Sequence, residues 1–123
     1  MISGNVTPSR QATIRLHIED AGGTTQAIDV IIDTGFTDFM SLPISLAVSL
    51  GLPFSFFQDV EIADGSNVKV QVHSAIVIWD GKPRRINVHA MGKERSIGMA
   101  MLAAHDVHIR VTDGGAVSID AIP

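Results

Sequence analysis

The sequence predicts a mostly β domain, built as a small closed barrel or folded-over sheet with one or two short helices. Apolar and polar residues alternate strictly over residues 13–19 and 68–72, which is typical of half-buried strands. The Asp64-Gly65 pair stands between alternating runs of Val and Ile, a strong hairpin signal because Gly adopts positive φ readily. Only residues 44–50 and 99–105 favour a helix, and both segments are short.

Each element follows from a local pattern and from the residues that interrupt it. Residues 1–11 are polar and indicate an N-terminal arm, so that residues 12–123 form a single domain. The first helix is ended by Gly51 and Pro53, and the second is favoured by its Ala and Met residues. The expected strands, in chain order, are residues 13–19, 27–32, 60–62, 68–72, 75–79, 85–91, 107–111 and 116–122.

Composition excludes several classes of function. At 123 residues, 46% hydrophobic and 18% charged, the chain has the size and balance of one ordinary globular domain. Its formal charge is −4 and its basic residues are scattered, whereas a nucleic-acid surface needs clustered positive charge. The absence of cysteine rules out disulfides, thiolate nucleophiles and Cys-based metal sites, and leads us to expect a reducing compartment, the cytoplasm.

No membrane attachment is expected. The chain does not open with a basic segment followed by an apolar one, as a signal peptide does. Residues 39–58 contain no charge over twenty positions, which is about the length of a membrane span. However, Pro43, Gly51 and Pro53 interrupt this segment and divide it into a turn, a short helix and another turn.

Neither a metal nor another cofactor is expected. The chain contains five histidines, of which His105 and His108 are three residues apart. The helix that would bring these two onto one face ends near Asp106, and no other His, Asp or Glu cluster has recognisable ligand spacing. A Ser-His-Asp triad lacks any nucleophile-elbow motif to support it.

One carboxylate stands apart from the others. Asp64, Asp80 and Asp113 each precede a glycine between two alternating runs, and each is interpreted as a turn residue. Asp33 instead follows three β-branched residues directly and precedes Thr34 and Gly35. Because charged groups are rarely buried without a partner, Asp33 is expected to be partly desolvated unless something satisfies it, and either to end a strand and cap a turn or to perform the chain's chemistry.

Around Asp33 the sequence resembles the retropepsin-like (retroviral-type) aspartic proteases, and in particular their small prokaryotic single-domain branch. The similarity covers roughly residues 13–122, although Ser96 occupies a position that is usually apolar in that family. The matching segments are Ile31-Ile32-Asp33-Thr34-Gly35-Phe36-Thr37, Phe39-Met40-Ser41-Leu42-Pro43, Leu50-Gly51-Leu52-Pro53, the hairpin Ala63-Asp64-Gly65-Ser66, and Ile97-Gly98-Met99.

The resemblance implies a closed-barrel-like acid protease fold and an aspartic endopeptidase that acts on polypeptides. Asp33 would be the catalytic residue, with Thr34 and Gly35 in the active-site loop, and the residues 63–66 would form a flap over the substrate. Ile97 and Gly98 would form the second-half structural element. Because catalysis needs two carboxylates and the chain supplies one such motif, the active form is expected to be a homodimer. The alternative is a non-catalytic dimerisation or peptide-binding module with the same fold.

Overall fold

The computed structural model describes all 123 residues, which form ten β-strands and two short helices. The prediction of a mostly β fold with short helices is therefore confirmed. The strands are β1 (Ile2–Val6), β2 (Ala12–Glu19), β3 (Thr25–Ile32), β4 (Met40–Leu42), β5 (Phe54–Glu61), β6 (Asn67–Trp79), β7 (Lys82–Ala90), β8 (Ser96–Ile97), β9 (His105–Ile109) and β10 (Ala116–Ala121), and the helices are α1 (Ile44–Ser49) and α2 (Met99–Leu102).

The strands form one sheet that closes on itself in part. Their order is β5-β6-β7-β4-β8-β3-β2-β1-β10-β9, and β6 also pairs with β2 through His17↔Ile78 and Ile18↔Val77. That additional pairing joins six of the strands, from β6 through β7, β4, β8, β3 and β2, into a closed ring. Strands β5 and β9 lie at the two edges of the sheet, where one side of each backbone is unpaired.

The core lies on the inner face of this ring, where the alternation of the sequence places its apolar residues. On β2, Ile14, Leu16 and Ile18 are buried, while Arg15 and His17 between them are exposed. Fully burying such an aliphatic side chain contributes roughly 1.5–3 kcal/mol to stability. The buried cluster comprises 22 residues drawn from both halves of the chain, so the two halves share one hydrophobic core.

The Asp-Gly pairs form the tight turns that their sequence predicts. Gly65 has a φ of 85° between β5 and β6. Asp80 and Gly81 have φ of 50° and 80° between β6 and β7, the positive values that a two-residue hairpin turn requires. These turns fix the register of β6 against its neighbours, which places the hairpin of β5 and β6 beside the rest of the sheet.

The N-terminal segment differs from the expected arm, because residues 2–6 form strand β1 inside the sheet. β1 pairs with β10 and with β2. A Cβ at Gly4 would lie only 1.9 Å from the Thr13 carbonyl oxygen, so a glycine here lets two backbones approach closely. The segment is polar overall because Ser3 and Asn5 occupy its exposed face, and five residues are too few to reveal the alternation.

The structure also corrects the lengths of several elements. β6 is a single strand of 13 residues where two strands were expected, and α2 ends at Leu102 instead of residue 105. Residues 54–58, expected as a turn, begin β5; they lack alternation because this edge strand is largely exposed on both faces. Neither helix is long and apolar enough to cross a membrane.

Candidate active site

Asp33 stands where β3 ends and the chain turns away from the sheet. Its N–H donates to the Ile97 carbonyl over 2.9 Å, and its own carbonyl accepts from the Phe36 N–H over 3.1 Å. Its Oδ1 accepts a hydrogen bond of 3.0 Å from the Gly35 N–H. These three bonds fix the start of a segment that we call the Asp33 loop, residues 33–39, and they leave Oδ2 without a partner in the turn.

The Asp33 carboxylate is exposed in the single chain, as are Thr34 and Gly35. Val30 is fully buried and Ile31 is partly covered, but the turn that begins at Asp33 carries the carboxylate away from them. The carboxylate is satisfied by the Gly35 N–H and is not desolvated in the single chain.

The Asp33 loop rests on a second segment, residues 98–100. The Gly98 N–H donates to the Phe39 carbonyl over 3.0 Å, and the Met99 N–H to the Phe36 carbonyl over 2.8 Å. The Ala100 N–H donates to the Thr37 carbonyl over 3.1 Å. Three consecutive amides thus hold three carbonyls of a loop that has no strand partner of its own, which makes the loop rigid.

Gly98 is required at this place by close packing. A Cβ there would lie 2.4 Å from the Asp38 carbonyl oxygen and 2.5 Å from that of Phe36, both closer than side chains approach backbone atoms. Its φ of −112° is one that any residue adopts, so the constraint is space and not conformation. Gly98 is thus a close-packing glycine.

Ile97 links the two halves of the chain beneath the loop. It is fully buried on β8, which pairs in parallel with β3 at Ile32 and in antiparallel with β4 at Met40. Ser96, the unusual polar residue at this position, is also buried on the same strand. β8 therefore lies between the strand that leads into Asp33 and the strand that leaves the loop.

The tip of the β5–β6 hairpin, residues 62–66, is held by its own hydrogen bonds. Asp64 Oδ1 accepts from the Ser66 N–H over 2.8 Å and from the Ser66 hydroxyl over 2.6 Å. The hydroxyl bond, followed by the backbone bond, lowers the pKa of Asp64 below its ordinary value of 3.8. Ala63 and Gly65 are exposed, and the tip is bonded to no residue outside it.

A groove of about 260 Å³ opens beside the Asp33 loop. Thr34 forms part of its wall together with Ile32, Ile109 and Val111. Ile109 is 38% exposed and Val111 66% exposed, although both are large and apolar. The groove is mostly apolar and adjoins the Asp33 loop at Thr34. Exposed apolar surface of this kind is typical of interaction sites.

Three residues near the Asp33 loop escaped the sequence analysis. His89 on β7 is buried, its Nε2 lying 3.0 Å from Gln58 Oε1 and 3.5 Å from Asp38 Oδ2. These residues are distant in sequence and belong to three different elements, so no local pattern indicates their contact. Nowhere in the chain do three or more His, Asp or Glu side chains gather in a metal-binding arrangement.

Two solved structures resemble the fold of this chain. No family model matches the chain, and no curated protein matches its sequence. Among solved structures, a retropepsin-like aspartic protease from Rickettsia conorii matches with a TM-score of 0.58 at 15% identity, over 99% of this chain and 92% of that one. The EIAV protease complexed with the inhibitor HBY-793 matches with a TM-score of 0.53 at 18% identity, over 77% of this chain and 88% of that protease. The chain therefore has a retropepsin-like fold, as its motifs predict.

Proposed function

We propose that this retropepsin-like chain is an aspartic endopeptidase that acts as a homodimer, with Asp33 of each subunit forming the catalytic pair. The observation that carries the proposal is the Asp33 loop: an exposed carboxylate at the end of a core strand, held rigidly by residues 98–100. Preorganised carboxylates of this kind suit a reaction that needs fixed geometry at the reacting atoms.

The chemistry follows from bringing two such carboxylates together. At about 3 Å, two like charges cannot both persist, so the pair shares one proton. The ionised carboxylate removes a proton from a water, whose oxygen attacks the peptide carbonyl carbon, while the protonated carboxyl gives its proton to the carbonyl oxygen. The tetrahedral intermediate then collapses: the carboxyl that took the water's proton gives it to the leaving nitrogen as the C–N bond breaks, and a hydroxyl of the intermediate returns its proton to the other carboxylate, so the pair again shares one proton. The two groups titrate as a pair.

The chain contains only one Asp-Thr-Gly motif, so a second copy of the chain would have to supply the second carboxylate. The groove beside Thr34, with the exposed Ile109 and Val111 on its wall, supports this assembly. A two-fold axis passing close to Asp33 would bring each groove against the partner and would exclude water from both. Thr34 would then donate across the axis, and Gly35 would allow the two loops to approach.

The substrate that this arrangement suits is an extended polypeptide. The β5–β6 hairpin projects from the sheet, and its tip is free of bonds to the body, as a movable cover needs to be. An extended peptide lying between the tip and the Asp33 loop can form strand-like hydrogen bonds with the hairpin. Ile62 and Val68, both partly exposed near the tip, can contribute an apolar subsite.

The direct test is Asp33→Asn assayed on an unfolded polypeptide between about pH 3 and 7, the range in which carboxyl pairs titrate. We expect the variant to lose at least a thousandfold in kcat/KM, because an amide can neither accept nor deliver the proton. Asp80→Asn is the matched control, since it changes an exposed turn aspartate outside both the Asp33 loop and the hairpin tip, and it should remain active. Equal cleavage by Asp33→Asn would show that Asp33 is not the catalyst, whereas an inert wild type across this range would favour the non-catalytic module.

A further inference from the structure

His89 is a buried polar side chain that contacts both the β5–β6 hairpin and the Asp33 loop. It is 3% exposed, and its Nε2 faces Gln58 Oε1 on β5 at 3.0 Å and Asp38 Oδ2 on the Asp33 loop at 3.5 Å. A carboxylate oxygen and an amide oxygen both accept hydrogen bonds. Nε2 therefore carries the ring proton and donates towards both elements.

The other ring nitrogen shows that packing alone does not explain this histidine. Nδ1 is buried and has no hydrogen-bond partner, and it is the only such side-chain atom in the chain. Leaving a buried polar atom unpaired is unfavourable, whereas an apolar side chain of similar volume would avoid that cost. The polar contacts of this imidazole are therefore made by Nε2 alone.

On the loop side, His89 contacts two residues of the Asp33 loop, Phe36 and Asp38. The rings of His89 and Phe36 pack edge to face, with 5.7 Å between their centroids and their planes 86° apart. Asp38, the carboxylate that it faces, also offers its backbone carbonyl to the Ala100 N–H at 3.3 Å. The ring therefore packs against the part of the Asp33 loop that follows the Asp33 turn, without a contact to Asp33 itself.

On the hairpin side, Gln58 provides the tie. β5 is an edge strand with no buried residue, and its backbone pairs only with β6. The bond from His89 to Gln58 is the one side-chain hydrogen bond that joins β5 to a residue outside the hairpin. Apart from its ladder with β6, β5 is therefore linked to the Asp33 loop through this side-chain contact.

We propose that His89 is a positioning residue, which holds the β5–β6 hairpin at a fixed distance from the Asp33 loop through Gln58 and Asp38. This inference rests on the proposed function, in which that hairpin covers the substrate. When the tie is lost, the hairpin samples open positions, and a peptide is captured less often although the catalytic pair is unchanged. The expected signature is a raised KM with a nearly constant kcat.

The test compares His89→Leu, which fills the volume without a donor, with His89→Gln, whose side-chain amide nitrogen reaches about the position of Nε2. Two quantities are measured: hydrogen exchange of the β5 amides relative to the slowest core amides, and KM and kcat for a peptide. We expect His89→Leu to accelerate β5 exchange and to raise KM, each by roughly tenfold, as the loss of one partly buried hydrogen bond implies. His89→Gln should restore most of both.

Two further variants separate this role from a general loss of stability. Gln58→Leu removes the same bond from the half-exposed side of the contact and should reproduce both effects of His89→Leu without disturbing the core. Val77→Ala is the control for a general loss of stability, because Val77 is fully buried on β6 and pairs with Ile18 and Arg84, outside the part of β6 that pairs with β5. It should change core and β5 exchange together.

The exchange measurement needs no activity, so the two proposals fail separately. Normal β5 exchange in both His89→Leu and Gln58→Leu, or an equal effect of Val77→Ala on β5 exchange relative to the core, would overturn the positioning role even in an active protease. Accelerated β5 exchange in His89→Leu that His89→Gln reverses would support the positioning role. A wild type that cleaves nothing would overturn the proposed protease but would leave this link between hairpin and loop intact.

Discussion

At the scale of single residues, the candidate site depends on one carboxylate and one glycine whose roles are complementary. Asp33 is the proposed catalytic group and is exposed, while Gly98 is buried and packs beneath the same loop. Both were found from the sequence because each lies in a short motif with a physical reason behind it. Asp38, Gln58 and His89 were missed because their contact depends on the folded arrangement of three distant segments.

Gly98→Ala tests the packing of the loop. The added methyl group would lie within 2.6 Å of three atoms of the Asp33 loop, two of them backbone carbonyl oxygens. We expect a loss of about 3 kcal/mol in the free energy of unfolding, as overpacking in a rigid site costs, together with a fall in kcat. Denaturant unfolding at a fixed protein concentration measures the first quantity.

Gly22→Ala is the matched control for this substitution. Its φ is not positive, and the nearest atom to an added Cβ is Asp20 Oδ1 at 3.4 Å, an ordinary contact. It should change stability by no more than about 0.5 kcal/mol. A Gly98→Ala protein as stable as Gly22→Ala would show that the loop can move aside, and the rigid platform would have to be abandoned.

At the scale of elements, local chemistry predicts the turns well and the short strands poorly. The β5–β6 and β6–β7 hairpins follow from Asp-Gly pairs between alternating runs, and both form. β4 and β8, of three and two residues, exist because distant segments pair with them. Such pairing leaves no periodic pattern, which is why β4 and β8 were not predicted as strands, whereas β3, which leads into Asp33, was.

The tip of the β5–β6 hairpin yields a prediction about pH. The Ser66 hydroxyl is the main cause of the lowered pKa of Asp64, and the Ser66 N–H adds to it. Because the folded pKa lies below the unfolded one, the stabilisation is complete above pH 3.8 and is lost as the pH falls through the folded pKa. Ser66→Ala should raise the pKa of Asp64 towards 3.8, measured by NMR titration of its carboxyl carbon.

Asp20 provides the internal reference for that titration. Its pKa is also lowered, chiefly by the Gln26 side chain and then by the Thr24 N–H, in a turn remote from residue 66. Ser66→Ala should leave the pKa of Asp20 unchanged. If Asp64 titrates identically in the variant and the wild type, the hydroxyl does not organise the tip.

At the scale of the whole molecule, the fold was predictable because its signals extend along most of the chain. The segments that resemble retropepsin-like proteases run from the first core strand to the last, and the fold comparison covers 99% of this chain with the Rickettsia conorii protein. The assembly is a different matter. The expectation of a dimer comes from counting motifs, and the exposed groove of Thr34, Ile109 and Val111 adds a surface on which it can form.

The most direct test of a shared catalytic pair is a mixing experiment. Wild type and Asp33→Asn are unfolded together and refolded in varying ratios, with dimer formation followed by sedimentation, and cleavage is measured per wild-type chain. Random pairing at equal amounts leaves half of the wild-type chains with a wild-type partner, so the activity per wild-type chain should fall to about half and continue to fall with more variant. Activity per wild-type chain that stays constant at every ratio would contradict a site built from two subunits.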